Sequence, residues 1–212
     1  MTDDVTQITE AVAHVEHGFK PQQDVAAAIV AERLPDDAFA LALELFESES
    51  VPVRMTAVLI AEGIVGDREV VLAFLRGRVS ADPAWQVQEM LGRAFDAHCR
   101  ATGYEQALPI IEEWLASPVR NLRRAVTEGL RIWTSRPYFK QHPEVAIQLL
   151  SSKRDDPEKY VRESAGNALR DISKRYPELV RAELATWDRT DKAIAQTYKL
   201  AARFLESPKN CS

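Results

Sequence analysis

Apolar residues along this chain recur at helical spacing, and no stretch shows the strict alternation of a half-buried strand. Residues 6–15 read as a first helix, with Gly18 placed to end it. Pro21 opens a second helix through the Ala-rich stretch 26–31, since proline at the first helical position has no needed N–H to lose. Pro35-Asp36-Asp37 starts a third, with acids where the helix dipole favours them and Leu41, Leu43, Leu45 and Phe46 as apolar contributors. Then one pattern repeats. Pro52-Val53-Arg54, Asp82-Pro83 running to Val87-Gln88, Ser117-Pro118 running to Leu122-Arg123, and Asp156-Pro157 running to Val161-Arg162 are four versions of one Pro-marked helix start. With Val53, Val87, Leu122 and Val161 aligned, the gaps are 34, 35 and 39 residues. All-helical repeats of that length predict a solenoid of helix pairs. Asp82, Ser117 and Asp156 stand directly before proline and read as N-caps ahead of a proline at N1. Residues 177–187 and 191–204 form the last helices, and 207–212 read as a frayed tail.

The aligned repeats predict which helical face is buried. Four residues past the anchor stand Ala57, Leu91, Val126 and Ala165; eight past it stand Ala61, Phe95, Leu130 and Leu169. All are apolar, so they should face the stack. Offset seven (Ile60, Ala94, Gly129, Ala168) is mostly small and suits close helix approach. Offsets two and six share one face. They carry Glu89 and Arg93, Arg124 and Glu128, then Glu163 and Asn167, but Met55 and Leu59 in the first copy.

Composition narrows the classes. No apolar run approaches the roughly 20 residues of a membrane span, and the acidic N-terminus lacks the layout of a signal peptide. With only Cys99 and Cys211 there is no disulfide framework, and a reducing cytoplasm is the default. The net charge of -5 conceals an asymmetry: residues 1–117 carry 8 Lys/Arg against 20 Asp/Glu, whereas 118–212 carry 19 against 12. A basic region on an acidic chain is what contact with a polyanion requires; two halves attracting one another is the other reading. The segment 134–143 mixes basic and aromatic residues between helices and reads as a loop, either a nucleic-acid contact or a linker whose Tyr138 and Phe139 plug the core.

Candidate chemistry gathers on the polar face of three successive repeats. Trp85 and Glu89 are four apart. Arg124, Glu128 and Arg131 line the next helix with Trp133 just beyond, and Arg162, Asn167 and Asp171 come from the one after. In a solenoid these stripes form one concave, basic groove. Each residue has a plainer reading. Arg124–Glu128 is an ordinary helix ion pair, Trp85 a core side chain, Asp171 a partner of Lys174 or Arg175, and Asn167 a bond to a neighbouring repeat. His14, His17, His98 and His142 lack zinc spacing, and no phosphate loop or hydrolase motif occurs, so neither metal nor cofactor is expected.

The stretches Trp85-Gln86-Val87-Gln88-Glu89-Met90-Leu91, 121–133 and 160–174 resemble the bacterial DNA alkylation repair family, the HEAT-like-repeat alkylpurine DNA glycosylases of the AlkD and AlkC types. The resemblance spans roughly residues 50–190. It implies an all-α HEAT-like-repeat superhelix that binds double-stranded DNA and excises cationic purines such as 3-methyladenine and 7-methylguanine. Trp85 and Glu89 match the family's aromatic–carboxylate pair and Arg124 its arginine. The second tryptophan falls on Asn167, a departure, while Glu89 and Asp171 match the acids of the AlkC type. An anion at Glu89 or Asp171 would stabilise the developing oxocarbenium ion. Trp85 or Trp133 would face the sugar or cationic base. Arg124, Arg131 and Arg162 would take phosphates. The expected organisation is one domain over 1–206, with N-terminal helices 1–50, repeats 51–190 and a terminal helix 191–206; the expected state is a cytoplasmic monomer. A non-catalytic binder of DNA structures and a protein-interaction scaffold, the latter motivated by Met55 and Leu59, stand as alternatives.

Overall fold

The structure, a computed structural model, describes residues 3–15 and 18–205; His17, Cys211 and the tail 207–212 lie outside them. Among the described residues every regular element is a helix, and the chain has the architecture of a helical-repeat protein. None of these helices is long and apolar enough to cross a membrane. The chain divides into two compact units, Met1–Gly103 and Tyr104–Ser212.

The first unit contains α1 (Asp3–Val12), α2 (Lys20–Glu32), α3 (Pro35–Phe46), α4 (Val51–Ile64), α5 (Glu69–Gly77) and α6 (Trp85–Thr102). Its centre is α4, which packs on α2, α3 and α6. A helix apolar on nearly every side must be covered on every side, and α4 buries Met55 and Leu59 along with Val53, Ala57, Ile60 and Ala61. Gly63 lets α2 come close: a Cβ there would stand 2.8 Å from Val30 Cγ2. Gly103, at φ 94°, ends α6 in a conformation that side chains disfavour.

The second unit contains α7 (Leu108–Ala116), α8 (Arg120–Gly129), α9 (Pro137–Gln141), α10 (Pro143–Ser151), α11 (Lys159–Ser173), α12 (Pro177–Ala185) and α13 (Lys192–Ala201). Its centre is α11, packed on α8, α10, α12 and α13. The segment expected as a loop is a 3₁₀ turn over Trp133–Ser135 followed by α9. Of the two aromatics expected to plug the core, Phe139 does, fully buried against Trp133 with ring centroids 5.0 Å apart, whereas Tyr138 stays half-buried.

The aligned apolar positions are buried in all four repeats, at anchor, offset four and offset eight. The proline turns differ from the expected caps. Asp82, Ser117 and Asp156 accept the N–H of Ala84, Val119 and Glu158 at 2.8, 3.1 and 3.0 Å. The helices begin one residue later, so proline lies outside them, in a side-chain-closed turn. Ser48 closes the same turn ahead of α4 by accepting from Ser50 N at 3.2 Å.

The residue after each anchor then ties the turn down. Arg54 Nη1 donates to the carbonyls of Ser48 and Glu49, both at 2.9 Å. Gln88 Nε2 donates to Asp82 O at 2.9 Å. Arg123 Nη1 donates to Ser117 O and Pro118 O at 2.8 and 3.2 Å. Within each unit one such arginine also reaches the next turn's acid. Arg54 Nε bonds Asp82 Oδ2 at 2.7 Å, and Arg123 grips Asp156 through Nε and Nη2 at 2.7 and 2.9 Å.

Candidate functional site

In the first unit the site is a row on α6. Val87, Leu91 and Phe95 point inward and are fully buried. The helical period therefore turns Trp85 and Glu89 outward on one face. Trp85 is the first residue of α6 and 60% exposed, and Glu89 is exposed. The Glu89 carboxylate forms no hydrogen bond or ion pair with another described residue. An uncommitted carboxylate one turn from an exposed indole has the chemistry to attract a flat cation. One turn further along the row, Arg93 holds Glu62 through Nε and Nη2, both at 3.1 Å. Arg93, Glu62 and Leu59 line an open cleft of about 520 Å³ between α2, α4 and α6, with Ala27, Val30 and Ala31 on the far wall. Its volume falls within the roughly 300–1,000 Å³ range of small-molecule clefts.

In the second unit α8 and α11 pack together and bring their polar rows side by side. Arg124 lies half-buried with its Cζ 4.4 Å from the ring centre of the exposed Tyr160. Glu128 is half-buried on the same face, and Arg131 is exposed just beyond the end of α8. On α11, Asn167 Oδ1 accepts from Arg170 Nη1 at 2.9 Å. The Asp171 carboxylate, 12% exposed, accepts from Lys174 Nζ at 3.1 Å and Arg170 Nη2 at 3.3 Å. Phe204 covers both cations, 5.8 Å from Arg170 and 5.0 Å from Lys174. In the same unit Lys153 donates to Leu115 O at 2.7 Å, and burial lowers its pKa below the ordinary lysine value.

Three assignments made from the sequence change. Trp133 is fully buried, so its indole offers no face to a ligand. Arg162 spends its guanidinium on Asp156 O at 2.6 Å, Pro157 O at 3.3 Å and Gln196 Oε1 at 3.2 Å. It is the fourth turn-tying residue, and a phosphate would have to displace those bonds. Met55 and Leu59 are buried inside the first unit, where only Leu59 reaches the wall of the cleft, so they form no broad apolar surface on α4. The recurrence of Arg54, Gln88, Arg123 and Arg162 one position after the anchor was the signal for this role. Tyr160 and Phe204, both exposed and both beside cations, escaped the sequence reading because helical periodicity marks no exposed aromatic as special.

A family model described as "DNA alkylation repair enzyme" matches residues 20–203. Among solved structures, AlkD2 from Streptococcus mutans is 43% identical with a TM-score of 0.92, over 96% of this chain and 98% of that one. The smu.31 protein of Streptococcus mutans UA159 is 41% identical with a TM-score of 0.88, over 95% and 97%. The alkylpurine DNA glycosylase AlkC of Pseudomonas fluorescens, solved bound to DNA containing an abasic site analogue, is 20% identical with a TM-score of 0.53, over 89% of this chain and 63% of that one. That last likeness shows the fold. The uncharacterized protein YhaZ of Bacillus subtilis (strain 168) is 31% identical over 103 residues, 45% of this chain. Those residues span only 29% of YhaZ.

Proposed function

We propose, from the premise that the chain belongs to the DNA alkylation repair enzyme family, that it binds duplex DNA and engages cationic alkylated purines through Trp85 and Glu89, with Glu89 assisting their excision. The observation that carries this reading is the open pair on α6: a 60% exposed indole beside an exposed carboxylate that no described residue neutralises. A purine methylated at N3 or N7 is a flat cation, attracted both to a π face and to an anion. Its glycosidic bond needs no general acid, because the base departs as a neutral molecule while water adds at C1′. What the reaction gains from a protein is a carboxylate near the positive charge that develops on the sugar. Arg124 and Arg131 supply phosphate contacts, which orient a duplex without reading its sequence. The abasic-DNA complex of the AlkC glycosylase supports DNA as the partner of this fold.

Excision rests on Glu89 alone. Asp171 is paired with two cations, and Asn167 stands where the family's second tryptophan falls. Those two observations favour a second reading, recognition of the lesion without hydrolysis. The experiment that separates them measures methylated base released from alkylated duplex by the wild type, Glu89→Gln and Trp85→Ala. The catalytic reading expects Glu89→Gln to slow release by about 100-fold, the cost of removing one transition-state contact, with duplex affinity retained. Equal release by wild type and Glu89→Gln contradicts it; no release from any of the three, with lesion binding intact, leaves recognition alone.

A further inference from the structure

Arg162 is the last of the turn-tying residues, and its charge is answered differently from the others. Arg54 and Arg123 each grip a carboxylate, those of Asp82 and Asp156. Arg162 has three acceptors, Asp156 O, Pro157 O and Gln196 Oε1, and all are neutral. No carboxylate of a described residue pairs with it, and its Nε is buried without an acceptor. This half-buried guanidinium is therefore short of negative charge and of hydrogen bonds alike.

The same residue borders a cavity of about 280 Å³ between α11 and α13, which pack together in the second unit. Lys159 and Glu163 line it from α11, and Gln196, Lys199 and Leu200 from α13. Lys159 lies 3.3 Å from Glu163. Lys199 is exposed and forms no hydrogen bond or ion pair with another described residue. Three cations against one carboxylate leave an excess of two positive charges around the cavity. Leu200 and the lysine stems supply apolar wall beneath that charge. One end is shut, because the helices meet at Gly166, where a Cβ would stand 2.9 Å from Leu200 Cβ.

A dianion on a partly apolar carrier fits such a place. A phosphomonoester carries close to two negative charges at neutral pH, whereas a phosphodiester carries one. A phosphodiester within a strand also needs a path in and a path out, which closure at Gly166 denies it. A terminal phosphate needs one opening, and its sugar finds Leu200 to rest on.

We propose that the cavity between α11 and α13 is a site for a phosphomonoester carried on a sugar, as at the end of a DNA strand. Phosphate oxygens replace Gln196 Oε1 on Arg162 and bind Lys199 Nζ, while the two Nη1 bonds of Arg162 go on holding the turn. The site lies wholly within the second unit and goes beyond the excision proposed above.

The test titrates wild type, Lys199→Gln and Glu163→Gln with nicked, lesion-free duplexes that differ only in bearing a 5′-phosphate, a 3′-phosphate or hydroxyls at the nick. Thymidine 5′-monophosphate, thymidine 3′-monophosphate and thymidine form a second arm. Wild type should bind one phosphate-ended nick about ten-fold more tightly than the hydroxyl-ended one. Lys199→Gln should lose most of that preference, and Glu163→Gln, which removes the acid, should enlarge it by about three-fold. Both side chains stand at the rim, so neither change threatens the fold, and a merely structural effect would not move the two in opposite directions. The second arm names the source: a monophosphate that binds better than thymidine, without any preference among nicks, makes the ligand a free nucleotide. Equal or absent binding of all three nicks, with the monophosphates binding no better than thymidine, overturns the site. So does a preference that Lys199→Gln leaves intact. Failure of lesion recognition would leave these titrations untouched, since no lesion is present in them.

Discussion

Arg123 shows how a charged residue comes to be kept inside a helical repeat. Its side chain and that of Asp156 are 8% and 3% exposed, and every polar contact between them is a direct charge-assisted bond. Removing one partner strands the other in a dry place. Arg123→Ala should therefore lower the free energy of unfolding by about 3–5 kcal/mol, read by urea denaturation. Arg54→Ala should cost somewhat less, because the Arg54 side chain is 14% exposed against 8% for Arg123 and water can enter where its guanidinium leaves, although Asp82 itself is buried. The contrast between Arg162 and Arg131 marks the limit of reading function from residue type. Both are arginines on the basic half of the chain, yet one closes a turn and the other stands in solvent. What separates them is register, one position after the anchor against nine, and register carried the structural role that a residue-by-residue search for phosphate contacts passed over. Trp85 and Glu89 were legible for the opposite reason. Their positions relative to Val87 put them outward whatever the neighbours do.

At the scale of elements, periodicity located the N-terminal helices, the four echoed helices and the last two, while α5, α7 and α10 went unplaced and the ends moved. The aspartate or serine before each proline closes a turn from outside the helix, so its helix starts two residues later than a cap would imply. The segment 134–143 read as a loop because its prolines and mixed polarity break the pattern. Phe139 nonetheless reaches the core and pulls a short helix with it. Close approach between elements is a further thing that periodicity leaves silent. Gly166 sits where a Cβ would meet Leu200 Cβ at 2.9 Å and the backbone carbonyl of Thr197 at 3.0 Å. Backbone cannot swing aside as a side chain can, so Gly166→Ala should push α13 off α11 and destabilise the protein by about 1–3 kcal/mol. Thermal unfolding and hydrogen exchange in α13 would show it; unchanged stability would mean that the two helices adjust freely.

For the whole molecule, the repeat period alone established the helical-repeat class, and the family match over residues 20–203 agrees with it. Charge asymmetry suggested a polyanion, and in weaker form it survives the division at Gly103: residues 1–103 carry 8 Lys/Arg against 17 Asp/Glu, and 104–212 carry 19 against 15. The acidic first unit carries the pair suited to a cation, and the basic second unit carries Arg124 and Arg131. The most direct measurement is competition between a duplex containing 7-methylguanine and its unmodified counterpart, for wild type, Trp85→Ala and Arg131→Ala across a salt series. The account predicts that wild type prefers the lesion duplex, that Trp85→Ala loses about ten-fold of that preference, and that Arg131→Ala weakens both duplexes alike with a salt slope shallower by about one. Equal affinity of the wild type for the two duplexes, or a preference that survives Trp85→Ala, would contradict it.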